Sequence, residues 1–252
     1  MWRRVVEAQL DGLTAAELAA RLRLPACELH ELVSSTMDLA HAAAARGAPS
    51  GTLIVANEQE AGRGRGGRRW SSPPGGGLWM TMVERPGSPS GIEVLSLRVG
   101  LCMAEALDAL ANERVRLKWP NDLYVGEGKL AGILIEARWR DQRVEWVAIG
   151  VGLNVVPAAD VDGSAGLAPG VTRLQALDLA VPAMRAAVAL EGPLTADELT
   201  RYAARDYSAG RRASQPATGV VAGISPTGEL VVDTASGPVA CRTGSLVFAE
   251  DR

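Results

Sequence analysis

The chain has 252 residues, of which 47% are hydrophobic and 22% charged, and its formal net charge is −3. This composition is typical of a globular protein with a substantial core, and the length allows one large and one small domain. The slight negative charge argues against a general role in binding nucleic acids or membrane surfaces, and no apolar run approaches the roughly 20 residues that cross a bilayer.

Cysteine usage and the N-terminus indicate the compartment. Cys27, Cys102 and Cys241 are far apart and include no CxxC pair, so they predict neither a disulfide framework nor a zinc site. They are expected to be buried thiols in a reducing compartment. The basic first residues are interrupted by Glu7 and Asp11 before a secretory apolar segment could form. We therefore expect a cytoplasmic protein with no membrane partner.

Two helices are predicted near the N-terminus. Residues 14–22 open with Thr14 and have a glutamate three positions later, the spacing of a capping box. The alanine-rich segment 34–47 predicts a second helix with Ser35 or Thr36 as its N-cap. Too few residues precede this second helix to form a winged or three-helix DNA-binding domain.

The rest of the chain predicts a sheet with packed helices and then a series of short strands. Strands are expected at 52–57, 78–84 and through most of 115–156, and helices at 92–111, 172–190 and 195–206. After Tyr207, four or five short apolar runs lie within about 45 residues, which is typical of a small β-barrel. We predict a large α/β domain with a mixed sheet over residues 1–206 and a small β-barrel over 207–252.

The segment AGRGRGGRRW, residues 61–70, concentrates four glycines and four arginines in an otherwise acidic chain. Glycine is costly to order, and clustered arginines repel one another unless an anion meets them. Taken alone, the segment is typical of a solvated charge run. It matches neither the GxGxxG fingerprint nor the GK[ST] ending of a phosphate-binding loop.

A second segment, which reads KWPNDLYVGEGKLAGILIE, brings other chemical groups together. Lys118 and Lys129 are cations, and Asn121 and Asp122 supply oxygen atoms after a bend fixed by proline. Lys129 leaves a glycine turn and enters an apolar strand, an arrangement that can hold an ammonium at the mouth of a pocket. Gly132 would let a ligand approach the backbone closely.

These motifs together identify a family resemblance. EQEAGRGRGGRRW, KWPNDLYV, GKLAGILIE and IGVGLN resemble the motifs of biotin–protein ligases and occur in the family's order, and SSTMD resembles the family's biotin-binding turn. The likeness extends over roughly residues 30–250 and is to the short form without a DNA-binding domain. It implies a mixed-sheet catalytic domain of the class II synthetase and biotin–lipoate ligase type, and it implies that the C-terminal barrel is SH3-like.

The resemblance also implies a reaction. Such enzymes form biotinyl-5′-AMP from biotin and MgATP and then transfer the biotinyl group to a lysine of a biotin carboxyl carrier protein. ATP, biotin and Mg²⁺ are therefore expected as ligands. The carrier is the expected partner, and DNA is not expected to bind. A homodimer is an assembly that the family allows. A carboxylate and ATP repel each other, so joining them requires concentrated positive charge. A glycine-rich loop could order around the intermediate and exclude water.

Individual roles follow from the resemblance, residue by residue. Catalytic roles are implied for Lys129, Arg65 and Arg63, with Lys129 contacting the biotin carboxylate and the α-phosphate. The residues implied to bind biotin are Ser35, Thr36, Gln59, Gly62, Arg63, Gly64, Arg65, Lys129 and Gly132. The residues implied to bind ATP are Arg68, Trp70, Asn121, Asp122, Lys129 and Asn154. The ligands of the metal are unknown, with Asp122 as one candidate beside the ATP phosphates.

Simpler structural roles compete with some of these assignments. The SSTMD turn could be only a helix cap, and Asp122 only a turn former. Trp119 is expected in the core. Two residues also depart from the family pattern. Met37 stands where asparagine is usual, and Gly66 stands where arginine is frequent, which predicts a more mobile loop that holds its intermediate less firmly.

Three other functions stay open at this level. A ligase for another cofactor acid, such as lipoate or octanoate, would use the related fold, although the RGRGG and KWPND motifs favour biotin. An RGG-type nucleic-acid-binding protein is disfavoured by the net charge of −3 and the single short arginine cluster. A biotin-binding protein without catalytic activity would carry the same binding motifs.

Overall fold

A computed structural model describes residues 8–249 of the chain. The predicted interruption of the N-terminal segment at Glu7 lies outside the described residues. The described helices are α1 (Ala15–Leu22), α2 (Thr36–Ala45), α3 (Leu95–Leu107), α4 (Arg173–Val188) and α5 (Ala196–Ala203). Within this part of the chain, no helix combines the length and the apolar character needed to cross a bilayer.

Capping side chains set the start of four of these helices. Thr14, Ser35, Thr172 and Thr195 each accept a hydrogen bond from a backbone N–H of the first turn. Such caps satisfy backbone donors that the helix itself leaves without partners. The predicted capping box of α1 is confirmed, and Ser35 rather than Thr36 is the N-cap of α2.

A seven-stranded mixed sheet forms the centre of the molecule. Its strands are β1 (Cys27–Val33), β2 (Thr52–Gln59), β3 (Gly77–Glu84), β4 (Arg116–Lys118), β5 (Asp122–Val125), β6 (Gly128–Arg140) and β7 (Arg143–Asn154). They lie in the order β1-β2-β3-β7-β6-β5-β4, in which β1 and β2 pair in parallel and all other neighbours pair antiparallel. This architecture confirms the predicted mixed α/β fold.

Helices cover both faces of this sheet. On β2, Leu53 and Val55 belong to the large core that includes α3 and α4, whereas Ile54 packs with α2. Because successive side chains of a strand point to opposite faces, α2 lies on one face and α3 and α4 lie on the other. Trp119 is buried in the large core, as predicted.

A second, antiparallel sheet follows at the C-terminus. Its strands are β8 (Arg212–Gln215), β9 (Gly219–Ile224), β10 (Leu230–Thr234), β11 (Gly237–Cys241) and β12 (Val247–Phe248), in the order β11-β10-β9-β8-β12. It meets the β4–β5 edge of the large sheet, where the Trp119 indole Nε1–H donates to the carbonyl of Gly228 at 2.9 Å. The expectation of a small β unit after Tyr207 agrees with this arrangement.

The three cysteines differ from expectation in their burial. Cys27, Cys102 and Cys241 are only partly buried, and they form no disulfide among the described residues. Two of them lie on the edge strands β1 and β11, where a side chain is covered less completely than in a central strand. Burial nevertheless raises the pKa of the Cys27 thiol to about 11, so this thiol is not a reactive thiolate at neutral pH.

A buried ion pair joins α3 to α5. Arg98 Nε donates to Glu198 Oε1 at 2.7 Å, and the two side chains are only 1% and 4% exposed. The same guanidinium donates to the carbonyls of Gly192 at 2.9 Å and Pro193 at 2.8 Å, which lead into α5. Burial opposes the charge on Glu198, yet hydrogen bonds from Arg98 and Thr195 hold its pKa below its ordinary value.

Replacing Arg98 should therefore destabilise the fold strongly. Arg98→Met leaves a buried carboxylate and several carbonyls without a donor, and should lower the free energy of unfolding by about 3–5 kcal/mol. Arg21→Met is the matched control, because Arg21 is 50% exposed and its partner Asp178 is 27% exposed; exposed ion pairs contribute little, so little or no loss is expected. Urea denaturation measures both, and equal losses would contradict this role of the buried pair.

Candidate active site

A cavity of about 120 Å³ lies on the face of the large sheet that α2 covers. Its walls are the start of α2, the arginine loop 61–70, and the central strands β3, β7, β6 and β5. The cavity brings together most of the predicted site residues: Ser35, Thr36, Gln59, Arg63, Gly64, Arg65, Arg68, Trp70, Asn121, Asp122, Lys129 and Gly132. It also includes residues that the sequence analysis did not assign, among them Thr81, Gly150 and Gly152.

Two glycines form a trough in the floor of the cavity. Gly152 on β7 pairs with Gly132 on β6, and Gly132 pairs with Asp122 on β5. The Trp70 indole lies over this trough. A Cβ atom at Gly132 would come within 2.9 Å of the Trp70 ring, and one at Gly152 would overlap the ring. The trough therefore exists because both positions lack side chains.

Trp70 closes the trough from the loop side. Its ring packs edge-on against Trp79, with the ring centroids 6.5 Å apart. Its indole Nε1–H is buried and has no hydrogen-bond partner among the described residues. A buried donor without a partner is costly, so a ligand or water acceptor at this position would stabilise the loop.

Lys129 and Asp122 form an ion pair beside Trp70. Lys129 Nζ lies 2.7 Å from Asp122 Oδ1, although the angle between the groups is not that of a hydrogen bond. The same Nζ lies 5.2 Å from the centre of the Trp70 ring. The backbone of Lys129 is fixed as well, because its N–H donates to Gly163 at 2.7 Å. The ammonium thus stands at a defined place at the edge of the trough.

The opposite end of the cavity is polar and uncharged. Gln59 Oε1 accepts from the backbone N–H of Thr36 at 2.9 Å and from its hydroxyl at 3.1 Å. The Thr36 and Thr81 hydroxyls are 2.8 Å apart, and Gln59 Nε2–H donates to Ser72 at 2.8 Å. Thr81 could have been found as the single hydroxyl among the apolar residues of LWMTMV, because a buried hydroxyl requires a partner.

The loop arginines differ in how far the protein neutralises them. Arg63 donates to Asp38 at 2.6 Å and lies 3.7 Å from Glu136, so two carboxylates surround it. Among the described residues, Arg65 forms no ion pair. Burial, and then the neighbouring charge of Arg68, lowers the pKa of Arg65, whereas Asp122 raises it. Arg65 is therefore a cation that an incoming anion would stabilise.

The other two arginines brace the loop by hydrogen bonds to neutral groups. Arg68 donates to the carbonyl of Arg65 at 3.1 Å and to Ser245 near the C-terminal sheet at 3.3 Å. Arg69 donates to the carbonyl of Glu60 at 2.6 Å. The loop is thus ordered by its own arginines, although Gly66 adopts a positive φ that favours glycine.

Two predicted site residues do not line the cavity. Gly62 is buried, and a Cβ atom there would come within 2.5 Å of the carbonyl oxygen of Trp70. The absence of a side chain at Gly62 therefore lets the two ends of the loop approach each other. Asn154 donates to Ser164 at 3.0 Å and to the carbonyl of Lys129 at 3.3 Å. It therefore contacts the backbone of Lys129 rather than the cavity.

Comparison with known proteins places this site in a family. The model of the biotin/lipoate A/B protein ligase family matches residues 29–154. The biotin–[acetyl-CoA-carboxylase] ligase of Mycobacterium tuberculosis is 32% identical over 243 residues, covering 85% of each chain. The chain belongs to the biotin/lipoate A/B protein ligase family. The family-matched segment contains every residue that lines the cavity.

Other relatives match less of their length or are more distant. The bifunctional ligase/repressor BirA of Bacillus spizizenii is 40% identical over 131 residues, which cover 52% of this chain and 40% of the relative. The chain thus spans less than half the length of that relative. A biotin protein ligase from Aquifex aeolicus, solved with biotin and ATP, has the same fold with a TM-score of 0.72 at 23% identity, covering 88% of this chain and 97% of that one.

The contact between Gly152 and Trp70 gives a direct test of the trough. Gly152→Ala should lower the free energy of unfolding by about 1–3 kcal/mol, because the added methyl group overlaps the indole. In a Trp70→Ala background the same substitution should cost less than about 0.5 kcal/mol, since the overlapping ring is gone. Urea denaturation of the four proteins measures this coupling. Equal costs in both backgrounds would show that Trp70 does not occupy the trough.

Proposed function

We propose that the protein activates biotin with MgATP to biotinyl-5′-AMP and transfers the biotinyl group to a lysine of a biotin carboxyl carrier protein. The observation that carries this proposal is the convergence of Lys129 and the loop arginines on one cavity whose other end is polar and uncharged. A substrate with an anionic tail and a neutral hydrogen-bonding head fits such a cavity. The family membership and the relatives named as biotin ligases support the same assignment.

The polar end favours biotin over other acids handled by the family. A ureido ring offers two N–H donors and one carbonyl acceptor, which the Ser35–Thr36 turn, Gln59 and Thr81 could meet. The dithiolane ring of lipoate offers no comparable groups, so it would gain no hydrogen bonds at this end of the cavity. Sites of this kind reject an analogue that lacks the expected hydrogen bonds.

The cationic end suits the chemistry of adenylation. A biotin carboxylate oxygen has to attack the α-phosphorus of ATP and displace pyrophosphate, which brings two anions together. Lys129 and Arg65 would neutralise this charge as it concentrates in the transition state. Arg63 is already surrounded by two carboxylates, so we assign it to the position of the loop more than to charge neutralisation.

Nucleotide binding is assigned to the Trp70 ring that covers the trough and to the groups that border it. Trp70 offers an apolar ring surface and an unpartnered N–H for the adenine base, with Arg68 and Asp122 near the ribose and phosphates. Asn121 donates its amide to the carbonyl of Ile133 at 2.7 Å, so it would contribute through the shape of the turn. Asn154 would act through the backbone of Lys129.

Mg²⁺ would reach this site together with the nucleotide. Within residues 8–249, no three His, Cys, Asp or Glu side chains are grouped so as to hold a metal ion. Mg²⁺ is usually held by one or two carboxylates and by the substrate phosphates. Asp122 fits this pattern as a single carboxylate, and the ion would shield the charge of the phosphates.

The two sheets suggest two domains with different roles. We propose a catalytic domain over residues 1–206 and an SH3-like unit over 207–252, because the cavity residues all belong to the first range. Arg68 reaches Ser245 in the second, so the small unit would help to hold the arginine loop.

Lys129 provides the decisive test. Lys129→Ala should reduce biotin-dependent exchange of pyrophosphate into ATP by about 100-fold or more, because a charge-stabilising donor is lost at the reacting centre. Arg242→Ala, which removes an exposed cation of the C-terminal sheet, is the control and should leave exchange unchanged. Near-normal exchange in Lys129→Ala would contradict the assigned role. Exchange driven by lipoate and not by biotin in the unaltered protein would favour the alternative substrate.

A further inference from the structure

The proposed function assigns no role to Met37, although this side chain lines the cavity. Met37 follows the Ser35–Thr36 turn and is only 3% exposed. Its backbone N–H donates to Ser35 Oγ at 3.3 Å, so the cap that begins α2 also fixes the place at which the Met37 side chain leaves the helix. The thioether thus brings an apolar surface to the polar end of the cavity.

The Met37 methyl group fills a hollow in the cavity floor at Gly150. In the sheet, Gly150 pairs with Thr81 of β3 and with Leu134 of β6. A Cβ atom at Gly150 would come within 2.6 Å of Met37 Cε and within 3.7 Å of the Thr81 hydroxyl oxygen. The methyl group therefore occupies the space that a side chain at Gly150 would take, and it does so beside a hydroxyl of the polar end.

Met37 and Trp70 cover neighbouring parts of the same strand. Gly150 and Gly152 are two residues apart on β7, so both open onto the same face of the sheet, about 7 Å from each other. Met37 lies over Gly150, and Trp70 lies over Gly152. The cavity floor is thus bounded by a thioether at its polar end and by an aromatic ring beside Lys129.

Met37 is also supported from behind. It belongs to the small core beneath α2, which includes Ala40, Ile54 and Ala148. Protein cores are closely packed, so the Met37 side chain has little space on its core side into which it could move. A ligand at the polar end therefore meets a fixed apolar wall, which limits both the size and the polarity of the group that fits there.

We propose that Met37 is a specificity-determining residue, which selects the unoxidised thioether ring of biotin at the polar end of the cavity. The proposal rests on the proposed function, since it requires biotin as the ligand. The ureido groups of biotin would meet the Ser35–Thr36 turn, Gln59 and Thr81, so the apolar thioether ring is the part of the head that lies against Met37. Oxygen atoms added to the ring sulfur would face a methyl group that offers no hydrogen bond.

Biotin sulfone tests this proposal, because it differs from biotin by two oxygen atoms on the ring sulfur. Calorimetric titration measures the affinity for both ligands in the unaltered protein, in Met37→Ala and in Met37→Leu. Leucine is apolar and similar in volume to methionine, so Met37→Leu is the matched control. Met37→Val is a second, shorter variant, and urea denaturation shows which of the variants are folded.

The ratio of the two affinities carries the result, since a role in the core alone would not change it. The unaltered protein should bind biotin sulfone at least about tenfold more weakly than biotin. Met37→Ala should reduce this ratio to about threefold or less, because the vacated space lets water reach the added oxygen atoms. Met37→Leu should retain the ratio of the unaltered protein. Equal affinities in the unaltered protein, or a ratio that the shorter side chains leave unchanged, would overturn the proposal.

The hollow at Gly150 gives an independent check of where Met37 lies. In Gly150→Ala the added methyl group has to displace the Met37 methyl group toward the cavity, so the affinity for biotin should fall. In a Met37→Ala background the same substitution should cost much less affinity, since the displaced group is gone. Equal losses in both backgrounds would overturn the proposal, because they would show that Met37 does not occupy the hollow.

Two separate readouts distinguish this proposal from the proposed function. If the unaltered protein binds biotin but shows no biotin-dependent exchange of pyrophosphate into ATP, the proposed function fails, and the titrations still decide the role of Met37. If exchange is normal and the ratio of affinities does not depend on residue 37, only the inference about Met37 fails.

Discussion

The candidate site depends on positive charge that the protein itself neutralises only in part. Asp122 pairs with Lys129, and Asp38 and Glu136 surround Arg63. Within residues 8–249, Arg65 has no carboxylate partner, and its pKa is lowered by burial beside a second arginine. Like charges held close together repel one another, so an anionic ligand would relieve the repulsion between these arginines. The charges of the cavity therefore favour an anionic ligand.

The backbone provides the space for the site, and the side chains provide its charge. Gly132 and Gly152 leave the trough, the Ser35 cap turns the chain into α2, and Gly62 allows the loop to fold back on itself. The large core on the other face, together with the buried Arg98–Glu198 pair, gives the sheet a rigid support. The cationic loop then lies over a fixed floor, since rigid elements position binding groups better than loops do.

Sequence reasoning recovers those features that are encoded locally. The capping spacing at Thr14 and the helical and strand periodicities are short-range signals, and they predict most elements correctly. Strand β1 was not predicted, because its sequence CELHELV places charged residues in a strand that is specified by parallel pairing with β2. The carboxylates around Arg63 were missed for a similar reason. Asp38 and Glu136 are distant from Arg63 in sequence, and only the fold brings them together.

The central claim is tested most directly by comparing the affinity for biotin with the affinity for its neutral carboxamide. The two ligands differ in the charge that the cationic cluster would meet. Calorimetric titration at constant salt should give the carboxamide an affinity at least about tenfold weaker, the loss expected when a charge-assisted hydrogen bond becomes a neutral one. Equal affinities would contradict the account, because they would show that the cations of the cavity do not recognise the carboxylate.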